Sequence, residues 1–245
     1  MLEFRGHQLQ PSIAFGTARV LRSAEDRGEA AFYSGRLSHD GWMSCNSCHV
    51  DGHSPDLLAD TKADGQFGNP KRIPSLLNVA HTGPWTWNGI EISLEGQIEK
   101  TLTSTMHRSA ISRERIGGDE SVAKDIAAFL RKQTLPTETP VDSRNIERGR
   151  ALFQVRGCAR CHHPDKHYTS PESFNVGVFD EAGESMFNPP SLQGLSHRRA
   201  YFHDARFNDI GKLLDVHPDS KSSWNEGEKI DLELFLKSQL RGPKS

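Results

Sequence analysis

The residues best placed to do chemistry are four cysteines in two pairs, Cys45-Asn46-Ser47-Cys48 and Cys158-Ala159-Arg160-Cys161, each followed at once by a histidine, His49 and His162. Three chemistries use thiols at this spacing. A redox dithiol wants a strand before it and a helix after it, and has no use for a following histidine twice over. A zinc centre can draw a four-thiolate shell from Cys45, Cys48, Cys158 and Cys161 together. Covalent haem attachment uses both thiols to reach the two vinyl groups of one porphyrin, and the adjacent histidine as proximal iron ligand. The last reading accounts for both histidines. It predicts two covalently bound c-type haems, one on Cys45, Cys48 and His49, the other on Cys158, Cys161 and His162.

Elements that position these groups recur in the same order in both halves. Arg27-Gly28-Glu29-Ala30-Ala31-Phe32 matches Arg148-Gly149-Arg150-Ala151-Leu152-Phe153, and each opens a helical segment ahead of its cysteines. Pro74-Ser75-Leu76 matches Pro190-Ser191-Leu192, and thirteen positions after each proline stand Trp87-Asn88 and His203-Asp204. Each half closes on an amphipathic helix: Val122, Ile126, Phe129 and Leu130 share one face of the first, and Leu232, Phe235, Leu236 and Leu240 share one face of the second. Pro136 and Pro140 bar a helix between the halves. The stretches from Asp51 to Asn69 and from Pro164 to Asn188 are rich in Gly, Pro, Asn and Asp, and loops of that length want something to organise them. The expected fold is all-α: two cytochrome c-like domains, residues 25–138 and 139–245, each wrapped around one haem with long irregular loops, after an N-terminal extension over 1–24.

Composition narrows the function. Lys plus Arg total 30 and Asp plus Glu 32, which leaves no broad basic field for nucleic acid or anionic lipid. No apolar run approaches the roughly 20 residues of a membrane span. Met1 to Gln10 lacks the basic-then-apolar pattern of an export signal.

With these landmarks the chain resembles the bacterial di-haem cytochrome c peroxidase (MauG) family from about Arg27 to Leu240. The resemblance rests on Phe32-Tyr33-Ser34-Gly35-Arg36-Leu37-Ser38, on Arg72 to Val79 with Trp85-Thr86-Trp87-Asn88-Gly89, on Asn188 to Leu192, and on Tyr201-Phe202-His203-Asp204. It implies a first haem that meets hydrogen peroxide and a second that passes electrons or shares oxidising equivalents. It also implies Trp87 as a stepping stone between the haems, where the alternative is a core aromatic; Trp85 reads as core. His203 would stand near the second haem and the inter-haem path as a hydrogen-bonding group.

Counted from Trp87, the family's distal glutamine is Gln97, while its acid-base glutamate falls at His107. An imidazole there can move a proton, bind iron and close the first haem, or stand on the surface. Members that switch off when oxidised carry a removable histidine ahead of Arg72; here Asp64-Gly65-Gln66-Phe67-Gly68 has none, which favours an accessible first iron. Fourteen residues after His203, the family's second-haem distal ligand is matched by His217, with a solvated loop residue as the alternative. Two imidazoles would leave that haem at low potential. The family's calcium positions are Arg72, Arg198 and Ala200 here, and a guanidinium supplies the charge of a cation, so calcium is not expected.

The sequence therefore predicts an enzyme, a di-haem oxidoreductase that uses hydrogen peroxide and takes electrons from a redox protein or small donor, with catalytic residues His107, Gln97 and Trp87. The competing prediction is an electron-transfer cytochrome with both irons six-coordinate. Haem is ligated to such motifs outside the cytoplasm, so a periplasmic or extracytoplasmic location is expected. The chain then begins at a mature end or is a piece of a longer protein. A homodimer is a candidate assembly.

Overall fold

The computed structural model describes residues 3–5, 8–10, 21, 23–61, 67–108, 119–136, 144–217 and 223–238. The predicted linker around 140 and Leu240 lie outside them. Helix is the dominant regular structure, and strands are short: an antiparallel pair β1 Glu3–Arg5 and β2 Gln8–Gln10 at the start, then the two-residue pairs β3 Leu58–Ala59 with β4 Lys71–Arg72 and β5 Phe174–Asn175 with β6 Met186–Phe187. Those last two pairs close the long loops that follow the cysteine motifs.

Two helix crossings carry the molecule, and they are copies of each other. Helix α1, Ala24–Tyr33, starts on a capping box between Ser23 and Asp26 and crosses the helix Asp119–Leu130. The crossing point is Gly28, where a Cβ would fall 1.9 Å from the Asp125 carbonyl oxygen. Only a residue without a side chain lets two helix backbones approach so closely. Beside it Arg27 grips the Asp125 carboxylate with Nε at 2.8 Å and Nη2 at 2.7 Å. The second half repeats this between Arg144–Val155 and Glu226–Lys237. A Cβ on Gly149 would sit 2.0 Å from the Asp231 oxygen, and Arg148 grips Asp231 at 2.6 and 2.9 Å, holding that carboxyl below its usual range. Phe32 packs on Phe129 with ring centroids at 5.3 Å, and Phe153 on Phe235 at 5.5 Å.

In chain order the α-helices are α1, α2 Cys45–Cys48, α3 Leu94–Lys100, α4 Asp119–Leu130, α5 Arg144–Val155, α6 Ile210–Val216 and α7 Glu226–Lys237. Their buried faces form two separate apolar clusters. One holds Phe32, Leu37, Val79, Leu94, Ile98, Leu102, Met106 and the inner face of α4. The other holds Ile146, Phe153, Tyr168, Leu195, Tyr201, Ile210, Leu214 and the inner face of α7.

The halves meet along a seam of loops in which histidines pair crosswise. His53, just past the first cysteine motif, sets its ring edge-on to His197 at 6.3 Å, with Nε2 3.1 Å from the His197 carbonyl oxygen. His167, just past the second motif, stacks on His81 at 4.6 Å and 15°. His81 and His197 each lie seven residues beyond the repeated proline, so one member of each contact stands at a duplicated position, while His53 and His167 lie four and five residues past His49 and His162.

Candidate haem sites

At the first site the single turn α2 puts Cys45 and Cys48 on one face, three residues apart. His49 follows, its N–H donating to the Cys45 carbonyl at 2.9 Å. The second site repeats the arrangement on a tighter 3-10 turn, Cys158–Arg160, entered through Gly157 in the left-handed region at φ 79°. There the His162 N–H donates to the Cys158 carbonyl at 3.0 Å. None of the four cysteines is joined in a disulfide. Burial pushes Cys45 up to about 11 and raises Cys48 as well, the reverse of the depressed pKa that activates a redox dithiol.

Each histidine is aimed by a backbone carbonyl. His49 Nδ1 lies 3.0 Å from the Pro74 oxygen and His162 Nδ1 3.0 Å from the Tyr168 oxygen. A carbonyl only accepts, so Nδ1 carries the proton and Nε2 keeps its lone pair for a metal. Burial lowers both imidazoles to about 4, His162 also through the charge of His217. Both are therefore neutral ligands near pH 7.

A cavity of about 310 Å³ opens at His49, within the roughly 300–1,000 Å³ of ordinary small-ligand sites. Its wall is mainly apolar, with Phe32, Leu76, Leu94, Ile98, Leu102 and Leu130, and Cys45 and Cys48 stand at it. Two thiols, a neutral imidazole and an apolar wall are the donor set that a covalently bound haem needs, so the residues present fit that group.

Other predicted residues fall as follows. Gln97, on α3, lines the cavity. Its Nε2 donates to Thr101 Oγ1 at 3.2 Å, while Oε1 is buried without a protein partner. His107 is not brought to the site: it is exposed, has φ 48°, and is absent from the described wall, in which His49 is the single histidine. The reason is the π-helical turn Thr101–Thr105, in which Met106 N–H bonds the Thr101 carbonyl five residues back. This wider turn shifts the register, so Thr105 and Met106 face the cavity and His107 turns out. Counting along the chain from Trp87 assumes a regular helix and misses that shift. Such π turns are frequent at functional sites.

Trp87 lines the same cavity and donates from Nε1 to the Arg72 carbonyl at 2.9 Å. Its ring lies edge-on to His203 at 6.4 Å. His203 is 2% exposed and stacks on Phe187 at 4.2 Å. Its Nε2 makes no protein hydrogen bond, with Asp204 at 4.0 Å. At the far end His217, at the C-terminus of α6, stands 6.4 Å from His162 by ring centroids. Two imidazoles that each put a nitrogen about 2 Å from a shared ion have centroids on the order of 6 Å apart, so this pair also fits haem iron. Rings connect the two sites: His217 to Phe202 at 6.4 Å, Phe202 to His203 at 6.3 Å, and His203 to Trp87.

Arg72, 3% exposed, ties the halves together. Its N–H donates to the His203 carbonyl at 2.6 Å, its Nε to the Phe202 carbonyl at 3.2 Å, and its Nη1 meets Asp56 at 3.3 Å. Arg198 is lowered to about 10 by burial and by the neighbouring charge of Arg72. Sequence reasoning did not anticipate that the second half walls the first cavity with Asp180, Phe187, Asn188 and Gln193. The equivalence of His81 and His197 was legible from the repeat spacing, but their partners His53 and His167 were not.

A model of the di-haem cytochrome c peroxidases matches residues 23–155. The methylamine utilization protein MauG of Methylorubrum extorquens is 26% identical over an alignment covering 88% of this chain and 78% of that protein. The cytochrome c551 peroxidase of Nitrosomonas europaea is 23% identical over 86% of this chain and 78% of its own. Among solved structures, a chain of Kuenenia stuttgartiensis hydrazine synthase shares the fold, with a TM-score of 0.76 at 16% identity over 94% of this chain and 99% of that one. With paired attachment motifs, aimed histidines and the family model spanning most of the first half and the start of the second, the chain belongs to the di-haem cytochrome c peroxidase family and is a peroxidase-like oxidoreductase.

Proposed function

We propose that this protein reduces hydrogen peroxide at a first haem held on Cys45, Cys48 and His49, drawing electrons through a second haem held on Cys158, Cys161, His162 and His217. The observation that carries the reading is the wall of the first cavity, where His49 is the single histidine among the described residues and Gln97 stands with an unpartnered acceptor. The haem pair supplies the redox chemistry: two electrons and two protons turn one peroxide into two waters. Gln97 Oε1 accepts a hydrogen bond from a peroxide O–H and orients it. The ring series His217, Phe202, His203 and Trp87 supplies a path between the sites, with Trp87 as the oxidisable member. Arg72 and Arg198 take the place of a bridging cation, so calcium is not required. Electrons come from a redox protein or small donor in an extracytoplasmic compartment; among the described residues no helix is long and apolar enough to cross a membrane.

A second reading, an electron carrier with both irons closed, is favoured by Met106, which is 1% exposed and lines the first cavity with a thioether able to bind iron. Low-temperature electron paramagnetic resonance of the diferric protein separates the two. A high-spin signal beside a low-spin bis-imidazole signal, changing on addition of peroxide, is expected. Two low-spin signals indifferent to peroxide would establish the carrier.

A further inference from the structure

At the third position past the repeated proline the halves differ in kind: Leu77 in the first, Gln193 in the second. Both line the cavity at His49. Gln193 is 2% exposed, and a buried amide in place of a leucine costs free energy unless its polar atoms are bonded. All but one of them are. Its N–H donates to Ser191 Oγ at 3.2 Å, its carbonyl accepts from Arg198 Nη2 at 3.1 Å, and Oε1 accepts from Asn78 Nδ2 at 3.3 Å. His167 Nδ1 also meets Oε1 at 3.1 Å. Nε2 is buried and has no protein partner.

The direction of an amide is ordinarily an assignment, but here a chain of contacts sets it. The backbone N–H of Leu135 donates to Asn78 Oδ1 at 3.4 Å. That turns the Asn78 amide nitrogen toward Gln193, so the end of Gln193 facing it is the oxygen. His167 Nδ1, also facing that oxygen, carries a proton, and the stacked ring of His81 braces it. The Gln193 NH2 is left as the polar end that the cavity must satisfy.

We propose that Gln193 is a haem-binding residue, donating from Nε2 to a carboxylate of the haem held on Cys45, Cys48 and His49, so that the second half completes the first haem's site. This rests on the reading that the cavity holds haem. The acceptor class follows from chemistry: a buried donor needs an acceptor, and at its rim a haem offers its two carboxylates. Neutralising part of a carboxylate's charge beside the iron favours the reduced state, so Gln193 holds the potential of the first haem up and its loss lowers it.

The test compares holoprotein with Gln193→Leu and Gln193→Asn, the latter keeping an amide on a side chain one methylene shorter. Haem is counted as the pyridine haemochrome, the carboxylate bending modes are read by resonance Raman, and both midpoint potentials by spectroelectrochemical titration. Both variants are expected to keep two haems, to shift the bending band of one haem, and to lower one midpoint potential while the other stays. Bands and potentials at wild-type values in a two-haem variant overturn the inference and assign the donor to water. If Gln193→Leu does not fold, Gln193→Asn decides between the same outcomes. A wild-type protein with fewer than two haems overturns instead the reading beneath it.

Discussion

The two halves share a scaffold and differ around their chemistry. At the helix crossings the copies agree closely: glycine at the contact, arginine beside it gripping an aspartate, a pair of phenylalanines alongside. Around the histidines they part. The second half pairs His162 with His217, whereas the first has Gln97, a π-helical turn and a cavity in which His49 stands as the single described histidine. Backbone interpenetration tolerates no added atom, so duplication preserves it. Groups facing a cavity are free to diverge, and there the second copy sets two imidazoles against each other where the first sets an amide and a thioether beside its one described histidine.

The comparison is broken most severely by removing one copy of the chemistry. Cys45→Ser with Cys48→Ser is expected to drop haem content from two to one, as read by the pyridine haemochrome, while the low-spin signal of the second site persists; loss of both haems would show that the halves do not load independently. Next, His217→Ala is expected to abolish the bis-imidazole signal in electron paramagnetic resonance, whereas His107→Ala leaves both signals as they were, since that side chain faces solvent.

Gly28→Ala and Gly149→Ala test the shared scaffold. Each pushes a methyl into a carbonyl about 2 Å away and is expected to cost about 1–3 kcal/mol in urea unfolding; a large difference between them would mean the crossings are not equivalent. Trp87→Phe keeps an aromatic ring but raises the cost of oxidising it, and peroxide-driven oxidation of a reduced donor is expected to slow on the order of tenfold, about 1.4 kcal/mol of barrier. An unchanged rate would take Trp87 out of the path. The smallest effects are expected for Arg27→Ala and Arg148→Ala, whose side chains are about half exposed, so that water screens what the ion pair gains. Each should lower the unfolding midpoint by less than its neighbouring glycine substitution.

Much of this was legible in the residues. The two Cys-x-x-Cys-His motifs, the repeat and the helices of both halves follow from local spacing, because one helical turn places Cys45 and Cys48 on one face whatever surrounds them. Local order fails at Thr101–Thr105, where a single wide turn sends His107 outward and Met106 inward.

What the sequence determined by itself is therefore the chemistry available and the duplicated frame: two thiols and a histidine in each half, glycines where helices cross, and apolar faces at helical period. What only the tertiary structure decided is which groups share a space. Gln193 and Asn78 lie 115 positions apart, and His81 and His167 stack across the seam; no periodicity relates such pairs. Their meeting depends on how two apolar clusters pack loop against loop, a balance of many small contacts summed over the whole chain.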